Sequence, residues 1–214
     1  IMNDLMSMGA HRFWKDALMD WMRPRPGEQC LDVAGGTGDI AERIRTRQGG
    51  PDAAGRVLVF DLTEGMLRAG RERFAGRDDL QWVCGNAEAL PFEDNSFDAY
   101  TISFGLRNVS RPELALAEAR RVLRPGGRFF CLEFSRVVLP ILKDIYDQYS
   151  FKLLPTLGGM VAGDRESYQY LVESIRRFPP QERLEDMMRE AGFGRVQHRN
   201  MSGGIVAVHH GWRI

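Results

Sequence analysis

A glycine-rich loop, LDVAGGTGDI at residues 31–40, lies between an apolar run and an amphipathic segment. Gly35, Gly36 and Gly38 allow a sharp turn from a strand into a helix, and they leave main-chain N–H groups open to a ligand. Loops of this kind bind dinucleotides, phosphates or S-adenosylmethionine, and some are structural turns that bind nothing. The loop therefore predicts a strand–loop–helix unit and leaves these alternatives open.

Short apolar runs alternate with amphipathic segments along the chain, which is typical of βαβ units and a mostly parallel sheet. We predict strands at 29–34, 56–61, 80–84, 97–104, 127–134, 195–201 and 204–210. Helices are predicted at 4–22, 38–47, 63–74, 111–123, 141–154, 165–176 and 181–191, with RPGG at 124–127 as the turn that ends the third of the central helices. The two late strands, joined by SGG, should pair antiparallel at the edge of the sheet. Such an ending resembles the seven-stranded class I methyltransferase sheet more than that of a dinucleotide dehydrogenase.

Length, charge and cysteine content limit the kinds of protein that this chain can be. The 214 residues suit one large α/β domain, and 29 basic residues balance 29 acidic ones, which argues against nucleic acid as a partner. Cys30, Cys84 and Cys131 lie in apolar runs and are odd in number, so we expect reduced, buried thiols and a cytoplasmic protein. No apolar run approaches the ~18 residues of a membrane span.

Acidic and amide residues after the strands help to choose the ligand. Asp39 follows the loop, where its charge disfavours a pyrophosphate and suits the ammonium group of S-adenosylmethionine. Asp61 ends the second strand and can accept the ribose hydroxyls of either cofactor, although it could instead cap a helix. Asn86 and Ala87 follow the third strand, where an adenine edge could meet an amide and a backbone N–H. This order favours S-adenosylmethionine.

The chain resembles the ubiquinone/menaquinone biosynthesis C-methyltransferase family (UbiE type) from MNDLMSMGAHRFWKD to HHG. The most specific motifs are LDVAGGTGDI, SFGLRNV, YLVESIRRFPPQE and GGIVAVHHG. The resemblance implies a Rossmann-like class I methyltransferase that uses S-adenosylmethionine to methylate a ring carbon of a polyprenyl quinol. By motif match it places cofactor contacts at Thr37, Asp61, Asn86, Ala87 and Ser103.

We therefore expect C-methylation of a polyprenyl benzoquinol, of the 2-methoxy-6-polyprenyl-1,4-benzoquinol type, in ubiquinone biosynthesis. The alternative acceptor is demethylmenaquinol, in menaquinone biosynthesis. Two rival functions are a dinucleotide-dependent oxidoreductase and a cofactor-binding scaffold without turnover.

Candidate catalytic residues follow from the need to align a quinol and remove a proton. Arg107 and Asn108 follow the fourth strand and should face the ligand crevice; Arg107 is too basic to accept a proton, so we expect it to stabilise a phenolate. Its alternative role is a surface salt bridge. His11 and Glu133 are candidate bases. Tyr168 and Tyr170 could hydrogen-bond a quinol oxygen, although these tyrosines and His11 could equally be packing residues.

The predicted organisation is a single domain, 1–214, with an N-terminal helical lid at 1–25 and a helical substrate-side insert at 136–180. Apolar and basic residues of the insert suggest peripheral contact with the inner face of a membrane. A homodimer or a complex of quinone-biosynthesis enzymes is a further hypothesis. His209 and His210 lack the spacing of a metal site, so we predict no metal.

Overall fold

One seven-stranded sheet organises the chain, which this computed structural model describes at residues 10–136 and 165–214. The strands are β1 Gln29–Val33, β2 Arg56–Asp61, β3 Leu80–Cys84, β4 Phe97–Ser103, β5 Leu123–Phe134, β6 Gly194–Met201 and β7 Val206–Trp212. Their order in the sheet is β3-β2-β1-β4-β5-β7-β6, and neighbours from β3 to β5 run parallel. The carboxyl ends of the central strands therefore meet at one edge.

Helices cover both faces of the sheet. They are α1 His11–Met22, α2 Asp39–Gln48, α3 Glu64–Arg73, α4 Pro112–Val122, α5 Arg165–Arg177 and α6 Gln181–Glu190, with short 3₁₀ turns at Leu106–Asn108 and Ser202–Gly204. One apolar core packs α1, α2 and α3 against the sheet, and the other packs α4 and α6 against the opposite face. Burial on both faces explains why the central strands are apolar throughout rather than alternating.

The last two strands confirm the predicted ending. β7 pairs antiparallel with β5 and with β6, so the hairpin closes one edge of the sheet. Ser202 and Gly203 in the SGG link both adopt positive φ values, 48° and 68°, which makes the tight turn. The fold is a Rossmann-like seven-stranded sheet with an antiparallel C-terminal hairpin, as the sequence pattern predicted.

Two local predictions need correction, and a third concerns residues outside the described part of the chain. The RPGG segment is part of strand β5, and a register shift between Phe97 and Ala99 accommodates it as a bulge beside β4. Cys84 is exposed, because it ends an outer strand, whereas Cys30 and Cys131 are buried thiols. The helix predicted at 141–154 lies outside the described residues.

Helix α1 is part of the core rather than a cover over it. Trp14, Leu18, Met19 and Met22 are at most 2% exposed, and the indole N–H of Trp14 donates to Ser202 Oγ at 2.9 Å. The lid predicted for 1–25 also includes residues 1–9, which lie outside the described part of the chain. The lid function of 1–25 stays a prediction.

Candidate cofactor and substrate site

The glycine loop turns from β1 into α2 through two positive-φ glycines, Gly36 at 55° and Gly38 at 81°. A Cβ on Gly35 would lie 2.7 Å from both Asp32 Oδ2 and Val59 Cγ1, so this glycine permits a close approach between the loop and the strands. A Cβ on Gly38 would lie 2.6 Å from the Trp82 ring. The three glycines are thus needed for packing and backbone conformation, in addition to any ligand contact.

Asp61 connects this loop to the next strand. Its Oδ2 accepts a hydrogen bond from the backbone N–H of Gly36 at 2.9 Å, and its Oδ1 accepts one from Thr63 N–H at 2.9 Å. Because both bonds come from the backbone, the carboxylate is fixed in orientation without an ion pair to any of the described residues. Thr63 holds the N-cap position of α3, but its side chain makes no capping bond.

A cavity of about 590 Å³ opens at this edge of the sheet. Its wall contains four of the predicted cofactor positions, Gly36, Asp61, Asn86 and Ala87, and the predicted catalytic residue Asn108. The volume falls within the range usual for small-molecule sites. The topology thus brings the ends of β1, β2, β3 and β4 to one ligand-sized space.

The charges of the cavity wall have one sign. Asp61 and Glu88 line it, and none of the described lining residues is Lys, Arg or His. Glu88 forms an ion pair with Arg111 at 2.8 Å. The wall therefore favours a cationic ligand and disfavours a pyrophosphate.

Two non-glycine residues in the wall adopt left-handed φ values, Ala34 at 52° and Phe104 at 56°. Gly105 follows Phe104, and a Cβ there would lie 2.3 Å from the Ala34 Cβ. The ends of β1 and β4 therefore approach each other in conformations that cost free energy, a feature that concentrates at functional sites.

Four predicted cofactor residues are outside the cavity wall: Gly35, Thr37, Gly38 and Ser103. Gly35 and Gly38 act through the shape of the loop. Ser103 has a buried hydroxyl oxygen without a hydrogen-bond partner. Thr37, in the same loop, is half-buried.

Arg107 and Glu133, predicted as separate catalytic groups, form one buried ion pair. Arg107 Nη1 donates to both Glu133 carboxylate oxygens at 3.0 Å, and the side chains are only 6% and 1% exposed. The same Nη1 donates to the Phe104 carbonyl at 2.6 Å. Burial raises the pKa of Glu133, although the Arg107 charge acts in the opposite direction.

This pairing revises both expectations. The Arg107 side chain is absent from the cavity wall and is not the partner in a surface salt bridge. Glu133 also accepts the Phe134 N–H at 2.9 Å, so its oxygens are occupied and shielded from a substrate. Neither residue is placed to exchange a proton directly with a ligand in the cavity.

Asn108 is exposed and lines the cavity, and its Oδ1 accepts a hydrogen bond from the Tyr170 hydroxyl at 3.3 Å. Tyr170 lies on α5 and is 53% exposed. Tyr168 is on the same helix, and its side chain lies outside the described residues. His11 begins α1 and is buried at 9% exposure, without a place in the cavity wall.

Asp39, expected beside a ligand ammonium, is instead paired with the protein. Its Oδ2 accepts from Lys15 Nζ at 2.7 Å, and Arg43 lies 3.5 Å from its other oxygen. The sequence could not show this pairing, because Lys15 is 24 residues away on α1 and only the packing of α1 on α2 brings it close.

Sequence reasoning missed several apolar and polar wall residues: Leu62, Thr63, Met66, Val109 and Ser110. Leu62 and Thr63 follow Asp61 directly, and Val109 and Ser110 follow Asn108. The position after each strand end was therefore the available signal, because residues that leave parallel strands line the same crevice.

Within residues 10–136 and 165–214, no group of three or more His, Cys, Asp or Glu side chains could hold a metal ion. No helix in these ranges is long and apolar enough to cross a bilayer.

Known proteins with similar sequences share one description. The model of the ubiE/COQ5 methyltransferase family matches residues 1–213. The ubiquinone/menaquinone biosynthesis C-methyltransferase UbiE of Paracoccus denitrificans is 61% identical, over 100% of this chain and 85% of that protein. Its counterpart from Cereibacter sphaeroides is 58% identical with the same coverage.

Solved structures support the fold. A methyltransferase of Thermotoga maritima, described as dependent on S-adenosylmethionine, superposes with a TM-score of 0.70, at 21% identity, over 99% of this chain and 93% of that one. This likeness concerns the fold alone. The family match, in contrast, spans nearly the entire chain and agrees with the cavity geometry, so the chain belongs to the ubiE/COQ5 methyltransferase family.

Proposed function

We propose that this methyltransferase transfers a methyl group from S-adenosylmethionine to a ring carbon of a polyprenyl benzoquinol in ubiquinone biosynthesis. Family membership establishes the dependence on S-adenosylmethionine and the C-methyltransferase class in quinone biosynthesis. The names of the relatives cover both ubiquinone and menaquinone, so demethylmenaquinol is the alternative acceptor. The benzoquinol acceptor and the residue roles below are our proposals.

The observation that best supports the proposal is the joining of the glycine loop to Asp61 in the wall of one cavity. A fixed carboxylate at the end of β2 suits the two ribose hydroxyls of the cofactor. A side chain at Gly36 would meet Met66 Cε 3.2 Å from its Cβ position, so glycine keeps the loop backbone bare at the cavity wall. Asn86 and Ala87 suit the adenine end. The residues present therefore fit S-adenosylmethionine.

The charge of the wall separates this proposal from its dinucleotide rival. S-adenosylmethionine supplies a methyl group on a positively charged sulfur, so the protein need not supply a covalent nucleophile. A wall with the Asp61 carboxylate and no basic residue among its described members suits that positive charge. The same wall offers nothing to neutralise the two negative phosphates of a dinucleotide.

The protein's own residues then align the acceptor and exclude water. We assign Asn108 the orientation of an acceptor oxygen, because its carboxamide is in the wall and Tyr170 fixes it through a hydrogen bond. Arg107 is paired with Glu133 and supports, from behind the wall, the 3₁₀ turn that carries Asn108, without a direct contact to the acceptor. His11 and Tyr168 stay predictions.

A polyprenyl acceptor is carried in a bilayer, which supports our proposal of a cytoplasmic protein with peripheral contact at the inner membrane face. Sedimentation with and without anionic liposomes tests this; equal partitioning would contradict it. Analytical ultracentrifugation tests the homodimer, and co-purification with other quinone-biosynthesis enzymes tests the complex.

Calorimetry and quinone analysis test the proposed activity. We expect heat with S-adenosylmethionine and S-adenosylhomocysteine and none with NADH; heat with NADH alone would overturn the proposal. Quinone extracts of a strain lacking the gene should accumulate a species lighter by one methyl group. Adding the purified protein to such an extract should restore the methylated quinone, and a scaffold without turnover would not. The ring of the restored product identifies the acceptor.

A further inference from the structure

We propose that Glu133 is a positioning residue that neutralises Arg107 behind the cavity wall and so sets the preference of the site for S-adenosylmethionine over S-adenosylhomocysteine. The two ligands differ by one methyl group and one positive charge. The inference rests on the proposed use of the cavity for this cofactor. It concerns how the protein retains the charged donor and releases the neutral product.

The pair lies directly behind the wall. Gly105 and Asn108 line the cavity, and Arg107 lies between them in the chain, on the 3₁₀ turn Leu106–Asn108. The backbone N–H of Arg107 also points to Glu133 Oε1, at 3.4 Å, so the carboxylate sits beneath this turn. Arg107 is thus a buried cation next to the wall, and Glu133 is its counter-charge.

The fixed geometry leaves Arg107 little freedom to move away. Its Nη1 bridges both carboxylate oxygens of Glu133 and the Phe104 carbonyl, and its guanidinium carbon lies 5.5 Å from the centre of the Phe134 ring. Its Nε is buried without a hydrogen-bond partner. A guanidinium held in this way keeps its charge close to the ligand space.

An unpaired cation at this position would repel a cationic ligand. Buried or half-buried charges interact strongly because little water screens them. With Glu133 ionised the pair is close to neutral, as is the pair of Glu88 with Arg111, and the negative potential of Asp61 dominates the wall. The positive donor is then favoured, while a neutral sulfur gains little from the same potential.

This role differs from that of a general base. Glu133 is 1% exposed and accepts N–H groups from Arg107 and Phe134, so it acts through Arg107 rather than on the substrate. A purely structural carboxylate would affect both ligands equally when it is replaced. Charge compensation predicts an effect on the positive ligand alone.

The experiment compares dissociation constants for the two ligands by isothermal titration calorimetry at fixed ionic strength. In Glu133→Gln the dissociation constant for S-adenosylmethionine, divided by that for S-adenosylhomocysteine, should rise about five- to tenfold. The reason is that the variant removes one negative charge at a distance that water only partly screens. A matched control is Glu28→Gln. Glu28 forms an ion pair with Arg128. Arg128 lies on β5, the strand that also carries Glu133, five residues earlier and roughly 16 Å away along the strand. The control should leave the ratio unchanged.

Glu133→Gln leaves an uncompensated buried charge and can fail to fold, so circular dichroism is recorded for each variant. Arg107→Gln gives an independent test, because it removes the cation that Glu133 neutralises. The preference for S-adenosylmethionine should then not fall. An unchanged ratio in folded Glu133→Gln, with equal loss for both ligands, or a fall in this preference in Arg107→Gln, would overturn the inference. If wild-type protein binds neither ligand, the proposed function itself fails, which is a distinct outcome.

Discussion

The backbone N–H of Gly36 donates to Asp61 Oδ2 at 2.9 Å, which fixes the glycine loop to the acidic end of the neighbouring strand β2. The two residues are 25 positions apart in the sequence, and parallel pairing of β1 with β2 brings them together. This contact orients the carboxylate toward the cavity that both residues line.

Replacing Asp61 by Asn should weaken binding of S-adenosylmethionine and S-adenosylhomocysteine by roughly 10- to 100-fold, because two backbone donors and the ribose hydroxyls lose a charged acceptor. Calorimetry measures both affinities. Asp98→Asn is the matched control, since Asp98 also accepts a backbone N–H, from Gln29 at 2.8 Å, but at the start of β4. Unchanged affinity in Asp61→Asn would contradict the assignment.

Replacing Gly35 by Ala should destabilise the protein by about 1–3 kcal/mol and reduce cofactor affinity, because the new methyl group meets Asp32 and Val59 at 2.7 Å. Chemical denaturation measures the free energy of unfolding. Gly65→Ala is the control: nothing lies within 4 Å of its Cβ position on α3, so alanine should be neutral or stabilising by up to ~1 kcal/mol. Equal stability of the two variants would argue against the close packing of the loop.

Replacing Asn108 by Ala should lower kcat/KM for the quinol about tenfold or more, through loss of a hydrogen bond to the acceptor. Tyr170→Phe should have a smaller effect in the same direction, since it removes only the bond that orients Asn108. Both variants should retain cofactor affinity. Gln169→Ala on the same helix controls for surface changes, because Gln169 is exposed and bonds only to Glu173 among the contacts the structure describes. Wild-type kinetics in Asn108→Ala would refute the proposed role.

Asp32 predicts a pH dependence of stability. Burial raises the pKa of Asp32 from 3.8 to about 7, opposed by the hydrogen bond from Thr101 Oγ1, and Asp32 Oδ2 is buried without a partner. The folded protein therefore holds a proton that the unfolded chain releases above about pH 4. Stability from this group is full below about pH 4, falls as pH rises to about 7, and is constant above it.

Asp32→Asn should remove the fall in the free energy of unfolding between about pH 4 and 7, which amounts to about 2–4 kcal/mol. Urea denaturation of both proteins at several pH values between about 4 and 8 measures it. Asp79 changes the stability with pH in the opposite direction, because hydrogen bonds from Arg77 and Arg45 lower the pKa of Asp79 to about 2. Its contribution is present above about pH 4 and declines as pH falls through about 2. Parallel curves for Asp32→Asn and wild type would contradict the ionisation of Asp32.

The positions of strands and helices could be predicted from sequence because they depend on short-range patterns. The bounds of β2 and β3 match the prediction, and α2 and α3 differ by a residue at each end. The RPGG segment was misassigned because Pro and Gly signal a turn, while the bulge in β5 that absorbs them depends on pairing with β4. Pairing partners are distant in sequence and leave no local signal.

Some features of the candidate site could likewise be predicted from the sequence, and others could not. Sequence order by itself determined the glycine loop, Asp61, Asn86 and Asn108 as residues that leave strands of a parallel sheet, because topology brings such positions to one edge. Only the tertiary structure decided which charges are paired. Lys15 neutralises Asp39, and Glu133 neutralises Arg107, in each case across more than 20 residues of sequence. Ion pairing depends on separations of a few ångströms, and these are set by how α1 packs on α2 and how β4 lies beside β5.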